Sequence, residues 1–382
     1  MSSRSGEIRA LTGIRGVAAL TVAAAHFDLT TYFPQWSFIG RLFFWHNPAV
    51  DLFFMLSAFV LCHVYTRVSL DSQVLRHYFS ARFARIYPLY FVTFLFVLFL
   101  GVLAALKRGA FADDLTLADA LRQVFVINAW PFIGTNHHWN FPAWSISAEV
   151  FCYCFIFPFL WQWRDRWLRL SIPVLTFLVV LLLAGDYVLV DFFEQSVQPW
   201  NGEPILRGGV GFGIGTCVFA LHRQNALPAR FAPAASIFFA AFFLTILVLS
   251  SWQDHGYARV MWAFPFLIIS LSEDISSPVA AFLGSRPVHY LGEISYSIYL
   301  WHFPVAKTFD GLFPKFMAPG TPYHPAIIFL LIATVLLAAV LSYECFEKPF
   351  RRILRGRLAH SHAARDEGSS AIKRPASPEL SF

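Results

Sequence analysis

Charge is what this sequence has least of. Lysine, arginine, aspartate and glutamate together make 14% of its 382 residues, where a soluble domain carries about a quarter. That excludes an ordinary soluble enzyme, whose surface needs far more charge to stay in water. Paired cysteines are missing too. Cys62, Cys152, Cys154, Cys217 and Cys345 all lie in apolar runs without the spacing of a disulfide framework or a zinc site, and they read as small packed hydrophobes. Cys152 and Cys154 face different sides of a helix and no second ligand pair follows, so no metal site is expected. There is no internal repeat of the kind that builds many transporters. Nor does the net charge of +6 call for nucleic acid, because basic residues between apolar spans are explained by membrane topology.

What is present is apolar sequence in long runs. Hydrophobic residues make 57% of the chain and phenylalanine alone contributes 43, which predicts one all-α, polytopic transmembrane bundle rather than two soluble domains. Residues 86–106, 170–190, 231–253 and 324–343 each offer about the 20 apolar residues that a spanning helix needs. Six more runs, 8–27, 48–66, 144–163, 205–222, 257–272 and 288–309, are interrupted by one or two polar residues, giving about ten spans. Arginine and lysine collect between alternate runs, at Arg67 to Arg85, Arg164 to Arg169, Arg223 to Arg230 and Lys348 to Arg357. The positive-inside rule then predicts both termini in the cytoplasm. The basic start, the apolar run and Ala23-Ala24-Ala25 also resemble a signal peptide. Arg15 breaks the apolar core of that segment, so it is expected to be retained as a helix. Residues 1–358 are read as the membrane-embedded unit. Residues 359–382, polar and rich in Pro, Ser and Glu, are read as a disordered cytoplasmic tail.

An ionisable residue inside an apolar span is costly unless it faces a protein interior, so each is a functional candidate. Arg15 and His26 stand eleven residues apart in the first run. On a helix that spacing returns to nearly the same face after a rise of roughly 16 Å. With alternate spans oriented as above, His26, Asp51, Glu149 and His302 are expected at one level near the outer side, as acid/base candidates. Arg82 and Arg85, three apart on one helix face, stand at the cytoplasmic side. Two guanidiniums there suit a phosphate-bearing ligand, although arginine at a cytoplasmic helix end is usually topological and snorkelling. Ser295, Tyr296, Ser297 and Tyr299 read as interhelical hydrogen-bonders, and Glu347 with Arg351 and Arg352 as an ion cluster. The long segment 107–143 carries Trp130, Asn136, His137, His138, Trp139 and Asn140, a mixture suited to a sugar-like ligand or to interfacial anchoring. Gly208, Gly209, Gly211, Gly213 and Gly215 suit either close helix packing or a broken transporter helix. The polar track suits an enzyme that takes a phosphate-bearing donor from one side and an acceptor from the other. A proton-coupled transporter, or a non-catalytic membrane subunit of a polysaccharide assembly system, fits it as well.

Six motifs in order carry a resemblance. They are IRALTGIRGVAALTVAAAHF, AVDLFFMLSAFVL, ARFARIYPLYF, WSISAEVFCYCFIFP, YLGEISYSIYLWHFPV and FEKPFRR. Over Glu7 to Arg352 the chain resembles bacterial acyltransferases of the acyltransferase-3 family, which modify O-antigens, exopolysaccharides and macrolides. The resemblance implies an O-acetyltransferase of the bacterial inner membrane. An acyl group, usually acetyl from acetyl-CoA, would pass from the cytoplasmic side to a hydroxyl of a saccharide or lipid-linked saccharide outside. Acyl-CoA would be a donor substrate, not a bound cofactor. His26 matches the family's catalytic histidine, Arg15 its companion, and Arg82 and Arg85 the motif associated with the donor. Ala49 and Ala58 stand where the family often has glycine, and Val150 where a second Glu often follows the first.

Acyl transfer to a hydroxyl needs its proton removed, and imidazole titrates close enough to neutrality to do so. His26 is therefore expected as the general base, with Asp51 or Glu149 orienting its ring. His302 is expected as a second acid/base, an acceptor ligand or a packed, hydrogen-bonded side chain. Arg82 and Arg85 would hold the CoA phosphates and Arg15 would meet the donor near its thioester. A covalent acyl-histidine on His26 is the alternative course.

Overall fold

The 37 residues of one helix, from Ser72 to Arg108, set the scale of this bundle: at 1.5 Å per residue they run about 55 Å. Asp71 caps its start, accepting from the backbone N–H of Gln73 and Val74 at 2.8 Å. Gly109 ends it in the left-handed region, with φ at +83°, where a side chain would be strained. The computed structural model describes residues 7–27, 46–109, 116–131, 139–195, 203–249, 256–314 and 325–352, and among these every regular element is a helix. In order they include α1 (Arg9–Ala25), α2 (His46–Tyr65), α3 (Ser72–Arg108), α4 (Leu117–Val124), α5 (Ala143–Phe151), α6 (Ile172–Gln195), α7 (Glu203–Arg223), α8 (Ala232–Leu249), α9 (Phe264–Glu273), α10 (Pro278–Leu283), α11 (Arg286–Glu293), α12 (Ser295–Leu312) and α13 (Pro325–Ser342). Single π-helical turns, Cys152–Ile156 and Tyr343–Glu347, follow α5 and α13.

Among the described residues six helices are long and apolar enough to cross a membrane: Pro48–Tyr65, Ser72–Arg108, Ala143–Gln162, Glu203–Arg223, Ala229–Leu249 and Ala326–Arg352. Six of the ten predicted runs therefore meet that measure. Run 8–27 becomes α1, which is 17 residues long and interrupted by Arg15. Run 170–190 falls in α6, whose apolar part is Ile172–Gly185. Run 257–272 is divided between a 3-10 stretch, Gly256–Ala263, and α9. Run 288–309 breaks at Ile294 into α11 and α12. The tail predicted at 359–382 lies outside the described residues. Large apolar side chains cover the outside of the bundle, among them Phe83, Phe99 and Leu106 on α3 and Phe238 and Leu249 on α8. A surface of that kind is at home in lipid, so the chain is a multi-pass membrane protein.

Glycine decides how closely the helices approach. A Cβ on Gly16 of α1 would stand 2.5 Å from the backbone nitrogen of Gly292 on α11, and one on Gly292 would stand 2.0 Å from the carbonyl oxygen of Thr12. A Cβ on Gly215 of α7 would stand 2.2 Å from the Met55 carbonyl oxygen of α2, and one on Gly211 would be 2.6 Å from the Phe54 Cβ. The glycines of α7 thus serve close packing, and α7 continues unbroken from Glu203 to Arg223. Ala58 fits the same seam, since its methyl faces Gly215 and is fully buried.

One ion pair ties α2 to α7. Arg207 donates through Nη2 to Asp51 Oδ2 at 2.8 Å and through Nε to Oδ1 at 3.2 Å, and both residues are buried. Arg207 also reaches Glu203 Oε1 at 3.4 Å, one turn earlier. On the other side, the segment after α3 folds back onto the bundle. Tyr90 of α3 donates to Gln123 at 2.6 Å, and Trp130 donates its indole N–H to the Ser147 carbonyl at 3.1 Å. Trp139 is buried against Phe94, and Asn140 donates to Thr93 at 3.4 Å. Trp130, Trp139 and Asn140 are therefore packing residues in this fold, while Asn136, His137 and His138 lie outside the described residues.

Two stability outcomes follow. Gly292→Ala should lower the thermal midpoint in detergent by several degrees, because overpacking against backbone costs about 1–3 kcal/mol. Gly185→Ala, with nothing within 4 Å of its added Cβ, should leave the midpoint unchanged or raise it slightly. Asp51→Leu alone strands the Arg207 charge and should cost roughly 3–5 kcal/mol, whereas the double variant Asp51→Leu/Arg207→Met should recover most of that. Parallel melts of the two singles and the double check it.

Candidate functional site

α1 ends at Ala25 with His26 as its C-cap residue, so the ring projects from a helix terminus instead of into a helix face. Nδ1 lies 2.8 Å from the Val22 carbonyl oxygen. A carbonyl only accepts, so Nδ1 carries the hydrogen and, in the neutral ring, Nε2 holds the lone pair. The orienting partner predicted to be Asp51 or Glu149 is thus supplied by the backbone one turn back. Asp51 is committed to Arg207 instead.

His26 lines a chamber of about 340 Å³ together with Phe141, Trp144, Glu203, Arg207 and Tyr299. That volume is within the range of small-molecule sites. Arg207 lies over the Trp144 ring, 5.2 Å from its centroid. Behind His26 stands His302, its ring centroid 5.0 Å away and its side chain fully enclosed. Both ring nitrogens of His302 are buried without a hydrogen bond of good geometry, though the carbonyls of Ile298 and Tyr299 lie close. His302 lies behind the chamber wall, packed against His26, Phe27 and Tyr299.

A second, narrower chamber of about 40 Å³ opens nearer the start of α1. Arg15, Ser57, Ser145, Glu149, Ser295, Tyr296 and Tyr299 line it, with apolar neighbours that include Val50. Val50 and Tyr299 belong to both chambers. Glu149 accepts from Ser57 at 2.5 Å and from Tyr153 at 2.6 Å. It was predicted on a level with His26, and it lies instead beside Arg15. The six residues from Ala143 to Glu149 descend roughly 9 Å along the helix, enough to change chambers. The π turn at Cys152–Ile156, a frequent mark of functional positions, begins three residues later and includes Tyr153.

Below Arg15 the arginines converge. Arg15 lies within electrostatic reach of Arg85, Glu149, Tyr153 and Arg82. Arg82 faces the Tyr153 ring at 5.7 Å. Arg85 is coupled to Arg351 and Arg82. Arg351 donates to Glu347 at 2.9 Å, and Glu347 also accepts from Ser297. Four guanidiniums, at Arg15, Arg82, Arg85 and Arg351, therefore meet two carboxylates, at Glu149 and Glu347. The Nε groups of Arg82 and Arg351 are buried with no hydrogen-bond partner. Such a cluster, with two more positive charges than negative, is built to receive an anion. The serines and tyrosines of α12 do bridge helices as predicted: Tyr296 donates to the Ile86 carbonyl at 2.8 Å, and the Tyr299 and Ser145 hydroxyls are 2.7 Å apart.

Sequence reasoning passed over Arg207, Trp144 and Tyr153. The rule that singled out Arg15 applies equally to Arg207, an arginine inside the run 205–222. Tyr153 stands four residues after Glu149 and shares its face. Ser57 gives no sequence signal at all.

Comparison with known proteins gives the chain's relatives. O-acetyltransferase OatA of Staphylococcus aureus is 23% identical over 368 residues, covering 90% of this chain and 57% of that protein. The putative peptidoglycan O-acetyltransferase YrhL of Bacillus subtilis is 27% identical over 386 residues, covering 90% and 55%. Peptidoglycan O-acetyltransferase OatA of Listeria monocytogenes is 24% identical over 382 residues, covering 90% and 56%. The chain thus spans rather more than half the length of the curated relatives it matches. No solved structure matches it. The acyltransferase domain model of the acyltransferase-3 family matches residues 8–343, nearly the whole bundle including both chambers, and the chain belongs to that family.

Proposed function

We propose that this protein moves an acetyl group from acetyl-CoA on the cytoplasmic side of the bacterial inner membrane to a saccharide hydroxyl on the opposite side. The observation that carries the proposal is the division of one polar interior. An arginine-rich cluster lies at one level and a histidine-bearing chamber at the other, and Val50 and Tyr299 stand between them. The basic segments that flank the arginine level, from Arg67 to Arg85 and from Arg164 to Arg169, favour the cytoplasm for it, and with it both termini. The relatives named as peptidoglycan O-acetyltransferases support acetyl as the group and a glycan as the acceptor.

In this reading Arg82, Arg85 and Arg351 hold the donor's phosphates and Arg15 holds the donor where its arm enters the bundle. Glu149, fixed by Ser57 and Tyr153, keeps Arg15 from closing on its own neighbours. At the other level an acceptor hydroxyl meets His26. Nε2 takes the hydroxyl proton as the oxygen attacks the thioester carbonyl, the carbon–sulfur bond breaks, and the thiolate of CoA leaves and takes up a proton. The Nδ1–H bond to the Val22 carbonyl holds the ring in the tautomer that this step requires. The same Nε2 could instead attack the thioester itself and carry the acetyl group to the hydroxyl. Release of CoA in one rapid turnover without acceptor favours that course, and its absence favours direct attack.

Transfer of radiolabelled acetyl from acetyl-CoA to glycan in inverted membrane vesicles tests the function; no labelled glycan would overturn it. His26→Ala should lower kcat by about 10²–10⁴ with an unchanged thermal midpoint. Arg82→Gln and Arg85→Gln should each raise the donor KM by roughly 10- to 100-fold, the equivalent of one charge-assisted hydrogen bond, and leave the acceptor KM alone. A donor KM that does not move would make these arginines topological.

A further inference from the structure

The chamber around His26 has a chemistry that the transfer step does not use. Three ionisable side chains line it, His26, Glu203 and Arg207, and Asp51 stands directly behind Arg207. Arg207 is gripped twice by Asp51, at 2.8 and 3.2 Å, and more loosely by Glu203 at 3.4 Å. Its charge is therefore answered within the protein. Counting Asp51, Glu203 and Arg207, the described wall carries one net negative charge. Glu203 is the exposed member, its side chain 30% accessible against 8% for Arg207 and 3% for Asp51. A carboxylate has about four acceptor positions, and the long contact to Arg207 uses one of them. Beside it Trp144 lines the same cavity and is the residue over which Arg207 lies.

Resting on the acetyl transfer proposed above, we infer that this chamber is the acceptor subsite, and that Glu203, Trp144 and Arg207 select an uncharged sugar over an acidic one. A sugar hydroxyl donates hydrogen bonds, and the open acceptor positions of Glu203 receive them. The C–H face of a pyranose ring is apolar and flat, and an indole offers it a matching surface. An acidic sugar would bring a second negative charge beside Glu203, and the guanidinium that would receive it is already held by Asp51. Like charges at short range repel. The hydroxyl to be acetylated then lies in the chamber that holds His26, with the donor's arm arriving past Tyr299.

The test uses membranes of the host strain with full-length protein and its own acceptor. Vesicles receive radiolabelled acetyl-CoA, glycan is released by mild acid, and neutral and acidic chains are separated by anion exchange. Label should be at least tenfold richer, per mole of chain, in the neutral fraction. With the neutral fraction added back as acceptor, Glu203→Gln should raise the acceptor KM about tenfold, leave the donor KM unchanged and narrow the preference against acidic chains. Trp144→Leu should also raise the acceptor KM, and Trp144→Phe should restore most of it, which separates a lost platform from a misfolded helix. Label concentrated in the acidic fraction overturns the inference. So does an acceptor KM within twofold of wild type in both Glu203→Gln and Trp144→Leu. No label in either fraction overturns the acetyl transfer itself, and the assignment with it.

Discussion

A charge enclosed by a lipid-covered bundle must be answered by another charge, a hydrogen-bonding group or a ligand, because neither hydrocarbon nor apolar packing will solvate it. That requirement arranges the interior of this protein. Asp51 answers Arg207, Glu347 answers Arg351, and Glu149, fixed by Ser57 and Tyr153, sits among Arg15, Arg82 and Arg85. Where the balance closes, as at Asp51 and Arg207, the pair acts as a strut between α2 and α7. Where it does not, beside Arg15, a surplus of positive charge is left, which the proposed function assigns to the donor's phosphates. Structural and functional arginines differ here in whether a carboxylate is already in hand.

These pairings depend on helices that approach to backbone contact. Gly16 and Gly292 let α1 lie against α11, which aims Arg15 and His26 into the interior and away from lipid. Gly211 and Gly215 do the same for α7 against α2, and that approach lets Arg207 reach Asp51. Lipid supplies no hydrophobic drive for helix association, so close packing of small residues has to provide it. The glycine seams and the ion pairs are thus one device: the first brings the side chains within range, and the second fixes the register.

Much of this was legible in the sequence. Composition and run lengths announced a multi-pass helical bundle, and the family motifs lay in the order the fold uses them. The eleven-residue spacing of Arg15 and His26 put both on one face of the first run, and the structure has them lining two different chambers, His26 from the helix end. The span count was less legible. Runs 257–272 and 288–309 each read as one interrupted span, yet the chain divides each into two pieces, at Pro265 and after Gly292-Glu293. The level of Glu149 was misjudged because a helix descends by residues and not by turns of motif. The partner of Asp51 was missed because an ion pair between residues 156 apart leaves no local trace. His26 found its orienting group in its own helix, at Val22, since its ring folds back on the carbonyl one turn earlier, which also accepts the backbone N–H of His26 at 3.2 Å.

The boundary between the chambers imposes a final condition. Tyr299 lines both, with its hydroxyl 2.7 Å from Ser145 and 3.3 Å from the Pro142 carbonyl. Pro142 belongs to the wall of the His26 chamber and Ser145 to that of the Arg15 chamber, so these two contacts hold the partition from both sides. In the proposed reaction, a donor held by its phosphates at the arginine level would deliver its thioester to His26 only by passing this point. The passage needs a thin, flexible arm, which the pantetheine of CoA provides and a compact sugar nucleotide or phosphosugar does not. A hydroxyl pair that can exchange its mutual hydrogen bond for bonds to the amides of such an arm opens without leaving a buried polar group stranded. On the proposed reaction, the partition would select such an arm by width and by hydrogen bonding.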